Sequence, residues 1–222
     1  MLKKILSILL FISVMINAKD TLLYSLDFSK QKDGSAIEVL KAKGFEFLLD
    51  SKKLNMNFLN GKLEIETKKE LAGLFGVRLK KPLNNVSFVT IEWGVEKFPK
   101  GSNWATGNNR LAIGAIFVLG NKKFSSGVPF VKSVPYFLAP FIGEKETKGK
   151  KYLGKLYKEA GRYYCVSNKK STTITKFNIE NRFKTEFGLK APPLTAFAFQ
   201  MNTKDTQGSA KAYIKSIKFY SK

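Results

Sequence analysis

The residues that could do chemistry are few, and the chain of 222 residues contains no histidine. That removes Ser-His-Asp and Cys-His mechanisms, the usual zinc and copper sites, and histidine general acid–base work. No phosphate loop of the GxxxxGK[ST] or GxGxxG type occurs. Carboxylate chemistry remains, and a glycosidase pair needs two Asp or Glu held ~5–10 Å apart. Glu92 and Glu96 share one strand face, but four residues of strand separate them by ~13 Å. A pair drawn from different strands, such as Glu92 with Asp205, stays open. The single cysteine, Cys165, sits between Tyr164 and Val166, where a buried inert thiol is expected. No ligand spacing supports calcium at Asp27 or Asp205, so neither a metal nor a cofactor is expected.

Binding asks less of the side chains. Sugars present flat C–H faces ringed by hydroxyls, so their sites combine an aromatic platform with planar polar groups. Trp104 with Asn103, Asn108 and Asn109 has that composition. So does the edge formed by Gln200 and Asn202, where Ala196 and Ala198 leave space for a groove. Glu92, Arg110 and Asp205 complete the set of candidate ligand-binding residues. If the strands of Trp93, Arg110 and Gln200 are neighbours in one sheet, the Arg110 guanidinium meets the Asp205 carboxylate at the sheet rim. Two versions of that meeting follow: a structural knot that closes the 203–208 turn, or the polar rim of a ligand groove.

These groups must be positioned by β-structure. In residues 194–202, Phe197, Phe199 and Met201 alternate with Ala196, Ala198, Gln200 and Asn202, which gives one oily face and one small, polar face. Tyr213, Ile217 and Phe219 fall on one side of the following strand, and the turn-formers 203–208 join the two into a hairpin. Asn60-Gly61 predicts a type I′ hairpin between 56–59 and 62–67. Further strands are predicted at 22–28, 45–49, 71–79, 86–95, 110–120, 162–166 and 172–177. The strand at 71–79 is expected to stop at Lys80-Lys81-Pro82, and 122–127 to form a turn. Pro135 and Pro140 predict an edge or irregular strand at 134–142, and 145–151 a mobile loop tip. A short helix should end near 41–43, and Asn178 and Gly188 should cap a second one near 179–187. The whole reads as all-β: a single two-sheet antiparallel β-sandwich, jelly-roll-like.

The first twenty residues, MLKKILSILLFISVMINAKD, have the form of a secretory signal peptide, with Lys3 and Lys4, an apolar run and Ala18 at the cleavage position. Removal of 1–18 leaves 19–222 as one domain with no transmembrane segment, placed in the periplasm or outside the cell, and expected to be monomeric. The net charge of +22 invites a polyanion: nucleic acid, an acidic polysaccharide or an anionic membrane face. Arg78, Arg110, Arg162 and Arg182 are the only arginines, and the lysines are spread along the chain. No specific nucleic-acid partner is therefore expected.

In order along the chain, the signal segment, TIEWGVEKFPKG, NRLAIGAIFVLG, VPYFLAPF, FKTEFG and AFAFQMNTKDTQGSAKAYIKSIKF resemble an exported bacterial family known as domain of unknown function 3047. Asn202, Thr203, Asp205 and Thr206 match its polar turn, Trp93 its Trp-containing strand, and Arg110 part of a strand opening in which Asn108 and Asn109 replace acidic residues. The resemblance implies a jelly-roll sandwich akin to carbohydrate-binding modules. Together these features point to an exported, non-enzymatic protein that binds a glycan or another envelope polymer. The alternatives are a polysaccharide hydrolase or lyase using carboxylates, Lys or Tyr, and a structural envelope protein with protein partners.

Overall fold

A computed structural model describes residues 20–222, so the signal segment lies outside the described residues. The elements run β1 (Thr21–Asp27), β2 (Gly34–Ser35), α1 (Ile37–Ala42), β3 (Phe45–Leu49), β4 (Asn55–Leu59), β5 (Lys62–Thr67), β6 (Ala72–Leu83), β7 (Phe88–Lys97), β8 (Leu111–Phe124), β9 (Val134–Ile142), β10 (Lys151–Tyr152), β11 (Gly161–Ser167), β12 (Thr172–Asn178), α2 (Ile179–Phe187), β13 (Leu194–Asn202) and β14 (Ala210–Ser221). Two seven-stranded sheets form a β-sandwich. The first has the order β12-β7-β14-β5-β4-β2, with β1 pairing beside β5 along the C-terminal half of β14. The second has the order β10-β11-β9-β8-β13-β6-β3.

Local sequence accounts for the clearest elements. Asn60 and Gly61 both take positive φ (51° and 68°), which the type I′ turn between β4 and β5 requires. The Asn178 side chain accepts from the Asn181 N–H at 2.8 Å, and Gly188 closes α2 in the left-handed conformation. Ile179 and Phe183 are the buried stripe of that helix. The core between the sheets is aromatic. Phe197 of the second sheet meets Phe219 of the first with ring centroids 5.4 Å apart, and Phe117 meets Phe219 at 5.5 Å. Trp93 is fully buried and donates its indole N–H to Thr175 Oγ1 at 3.0 Å, so its polar atom is satisfied inside the core.

Several expectations are corrected. The 194–219 segment is not a hairpin: β13 lies in the second sheet and β14 in the first, so residues 203–209 form an arch between layers. One oily face per strand serves an arch as well as a hairpin, because in an arch the two oily faces meet across the core. The strands of Arg110 and Gln200 do neighbour each other as β8 and β13, but Trp93 on β7 belongs to the opposite sheet. Strand β6 runs through Lys80, Lys81 and Pro82 to Leu83, where a bulge against β13 separates the Arg78 and Leu83 pairings. Likewise β8 continues through Lys122 to Phe124.

The strand with two prolines, β9, is interior, flanked by β8 and β11. Its ladder with β8 lapses between the Gly114–Phe141 and Phe117–Leu138 pairs, opposite Pro140, and shifts register beside Pro135. Both prolines therefore sit where no ladder N–H is used. The β9–β11 pair is parallel, the one exception to antiparallel pairing among the described residues. A parallel pair demands a return crossover. Residues 143–160 make it, over the outer face of the second sheet.

Candidate functional site

The site is the outer face of the second sheet, and its floor follows from register. In β13 the inward residues are Phe197, Phe199 and Met201, all essentially buried, so Ala196, Ala198 and Gln200 face outward and are half-buried. Ala198 lies opposite Gly76 on β6 and Ile116 on β8; Gln200 lies opposite Leu74 and Gly114. A Cβ on Gly76 would collide with Ala198, so the floor is as low there as two strands allow. Among the described residues the Gln200 amide makes no hydrogen bond to another protein group, which leaves its donors and acceptor available above the floor.

The wall was not foreseen. The outward residues of β9 and β11, among them Phe141 and Tyr163, are covered by the crossover and by the 98–110 loop. Trp104 is buried (6% exposed) with its ring 4.7 Å from both Phe141 and Tyr163, and its indole N–H donates to the Arg110 carbonyl at 3.0 Å. It is a loop anchor and not an open platform. Asn103 caps the same loop by accepting from Ala105 N–H at 3.0 Å. Burial pushes the Tyr163 phenol up to about 12 and raises that of Tyr152, so both stay protonated at neutral pH.

Glu146 holds wall and loop together. Expected in a mobile charged tip, it is 3% exposed. Its carboxylate accepts from the backbone N–H groups of Trp104 (2.8 Å), Glu144 (2.9 Å) and Lys145 (3.1 Å). Nothing in the run EKETKGK marks the third residue as buried; the signal is purely tertiary. The crossover then reaches back far enough for Lys155 to help lower the Asp205 pKa.

Arg110, Asn202 and Asp205 meet at the arch, at one end of this face. The Arg110 guanidinium bonds the Asp205 carboxylate and donates to the Lys204 carbonyl at 2.6 Å. That guanidinium holds the Asp205 carboxyl below the usual range. Asn108 donates to the Asp205 carbonyl at 3.1 Å, and Asn202 accepts from Lys204 N–H at 3.2 Å. Asp205 itself takes φ 52°, a left-handed conformation that Asp tolerates better than most residues. The buried fastening of the arch is Thr203, which the sequence marks only as a residue of the polar turn. Its hydroxyl donates to Lys69 O (2.8 Å) and accepts from Leu71 N–H (3.1 Å). Thr203→Val is therefore expected to cost about 2 kcal/mol, or roughly 4–8 °C in melting temperature. Asp205→Ala, which removes an exposed carboxylate and leaves the Arg110 guanidinium its Lys204 carbonyl, should move it by no more than about 2 °C. Thermal denaturation of both variants checks the order, and a larger loss at Asp205 would reverse these assignments.

Glu92 is not part of this site. It lies in the first sheet, bonded to Lys215 at 2.6 Å and opposite Ser216. Six residues of β14 separate Ser216 from Ala210 beside the arch, ~20 Å of strand, so Glu92 and Asp205 form no pair. Lys211 bridges Glu64 and Glu96 on the same outer face, and Glu186 is held by Lys151 and Arg162. A general acid needs its pKa pushed up. Here hydrogen bonds to Ser29, Lys53 and Arg110 pull Asp27, Asp50 and Asp205 down, and around Glu186 burial is outweighed by Lys151, Tyr164 and Arg162. Among the described residues no group of three or more Cys, Asp or Glu could hold a metal ion. No helix among them is long and apolar enough to cross a membrane.

The two sheets carry opposite inventories. Asp27, Glu64, Glu66, Glu92 and Glu96 are on strands of the first, whereas β6, β13, β8, β9 and β11 contain no Asp or Glu and the second sheet's one strand carboxylate is Glu46 on its edge strand β3. Fold and face together define a two-sheet β-sandwich with one open, carboxylate-poor sheet face, where Glu46 on the edge strand β3 lies opposite Gly76 and 3.8 Å from the Arg78 guanidinium. No family model matches the chain, and no curated protein matches its sequence. Among solved structures it is similar to CBM29_1, a family 29 carbohydrate binding module from Piromyces equi, at 10% identity over 90% of this chain and 91% of that one, TM-score 0.38. It is similar to endoglucanase 3 of family GH12 from Trichoderma harzianum at 13% identity over 90% and 95%, TM-score 0.41. The Emp46p carbohydrate recognition domain in its potassium-bound form aligns at 13% identity over 89% and 96%, TM-score 0.43. At this level of likeness no residue role passes from them to this chain.

Proposed function

We propose that the chain is an exported, non-enzymatic protein of the family it resembles, and that the outer face of its second sheet binds a glycan strand of the cell envelope. The observation that carries this is the open face itself: a floor of Gly76, Ala196 and Ala198, the free Gln200 amide, and no carboxylate on five adjoining strands. A flat floor admits a sugar ring, an amide answers its hydroxyls, and a face whose one strand carboxylate, Glu46, lies beside Arg78 offers little repulsion to an acidic polymer. Glu46 stands without a second carboxylate on the five neighbouring strands, so they supply no acid–base pair to cleave a glycosidic bond there.

The test is affinity electrophoresis and calorimetry of the protein against neutral and acidic envelope polysaccharides. Retention by at least one polymer is expected. Ala198→Leu combined with Gln200→Ala raises the floor and removes the amide, and should weaken binding at least ~tenfold, worth about 1.4 kcal/mol. Both sites face solvent, so the melting temperature should stay within about 2 °C. No retention on any polymer, or full retention by the double variant, would remove this face from the account. Release of reducing ends or unsaturated uronates would make the protein a polysaccharide-degrading enzyme instead.

A further inference from the structure

The β8–β9 connection, residues 125–133, carries Val128-Pro129-Phe130-Val131 at the surface: Phe130 is fully exposed (107%), Val128 45% and Val131 38%. A lone exposed apolar side chain is ordinary, but three large ones in one turn are not. The turn is built. Ser126, itself buried, donates its hydroxyl to Val128 O at 2.9 Å and accepts from Val128 N–H at 3.0 Å. The crossover holds both flanks, with Tyr157 N–H donating to Ser126 O at 3.1 Å and its phenol to Lys132 O at 2.9 Å. Phe130 sits at φ 62°, a left-handed conformation rare for a bulky residue. These fastenings hold its ring away from the protein, where an unconstrained Phe would fold back.

The surroundings are cationic. Lys122, Lys123 and Lys132 on this hairpin are exposed and none of them is ion-paired among the described residues, while on the adjoining crossover Lys158 stands beside an exposed Glu159. No Asp or Glu occurs anywhere from residue 97 to residue 143. A tip of four residues is far smaller than the ~800 Å² per partner that a stable protein interface uses. An aromatic wedge ringed by lysines instead suits a bilayer interface, with the ring among the acyl chains and the ammonium groups on anionic headgroups. We propose that this loop is a membrane-docking tip that inserts Phe130 into the surface of an anionic lipid bilayer, independently of the glycan face.

The experiment uses the protein as purified from cells, with Phe130→Trp as a reporter; the native Trp93 and Trp104 are buried and give a constant background. Vesicles of phosphatidylglycerol and phosphatidylcholine should shift the emission of the introduced indole to the blue and sediment the protein, and pure phosphatidylcholine should do neither. Phe130→Asp should abolish sedimentation without changing the melting temperature. Lys122→Gln and Lys132→Gln should each weaken it about fivefold. An unshifted emission with anionic vesicles overturns the proposal. So does sedimentation that survives Phe130→Asp, since the apolar run at residues 5–16 or the general positive charge would then be the cause. A Phe130-dependent complex with a protein, with vesicles indifferent to the substitution, would overturn it in favour of a protein partner.

Discussion

Glu146→Ala should lower the melting temperature by about 10 °C, although a single side chain in a lysine-rich loop is removed and the core between the sheets is untouched. Its carboxylate is the shared acceptor for the N–H groups of Trp104, Glu144 and Lys145. Removing it orphans the N–H of the buried Trp104 and leaves those of Glu144 and Lys145, on exposed residues at the edge of the site, to find water instead. Hydrogen bonds to a charged group contribute about 1.5–3 kcal/mol each, and losses in one cluster are not additive, so a total near 3–5 kcal/mol is expected. In a chain of this size each kcal/mol moves the midpoint by about 2–4 °C. Glu146→Gln should lie between, because its amide oxygen still accepts while its NH2 opposes a donor. Thermal denaturation checks the ranking; an Ala variant melting within about 2 °C of the native protein would show that the crossover is held by other means.

Trp104→Ala should cost as much, about 3–5 kcal/mol, by leaving a cavity between Phe141 and Tyr163 and freeing the Arg110 carbonyl from its indole partner. Unlike Thr203→Val, it should also weaken glycan retention, since the groove loses the packing behind its wall. The two wall variants are linked through the Trp104 backbone N–H. A double variant of Glu146 and Trp104 should therefore fall short of the sum of the single losses by about 1 kcal/mol or more. Strict additivity in denaturant melts would mean that the loop and the crossover are independent units.

Period-two alternation made β5, β7 and β13 legible, and local chemistry placed the Asn60-Gly61 turn and both caps of α2. These features depend on near neighbours alone. Sheet membership does not: β13 and β14 each have one oily face, and that pattern is satisfied whether they pair side by side or face each other across the core. Pro135 and Pro140 argue against an interior strand until the lapsed ladder opposite Pro140 is seen. The floor of the site was visible as the small and polar half of 194–202. Its wall was not, because Trp104 and Glu146 are brought together only by the parallel β9–β11 pair and the crossover that this pair demands.

The last two strands of the described chain each occupy the middle of a different sheet, β13 between β8 and β6, and β14 between β7 and the β5/β1 edge. Until they arrive, β6 and β3 have nothing to join them to β8 and β9, and β5 has nothing to join it to β7. A nascent chain lacking residues 194–221 can thus form local hairpins such as β4–β5 but neither complete sheet nor the core between them. Closing both sheets therefore depends on contacts of long sequence separation, which slow folding.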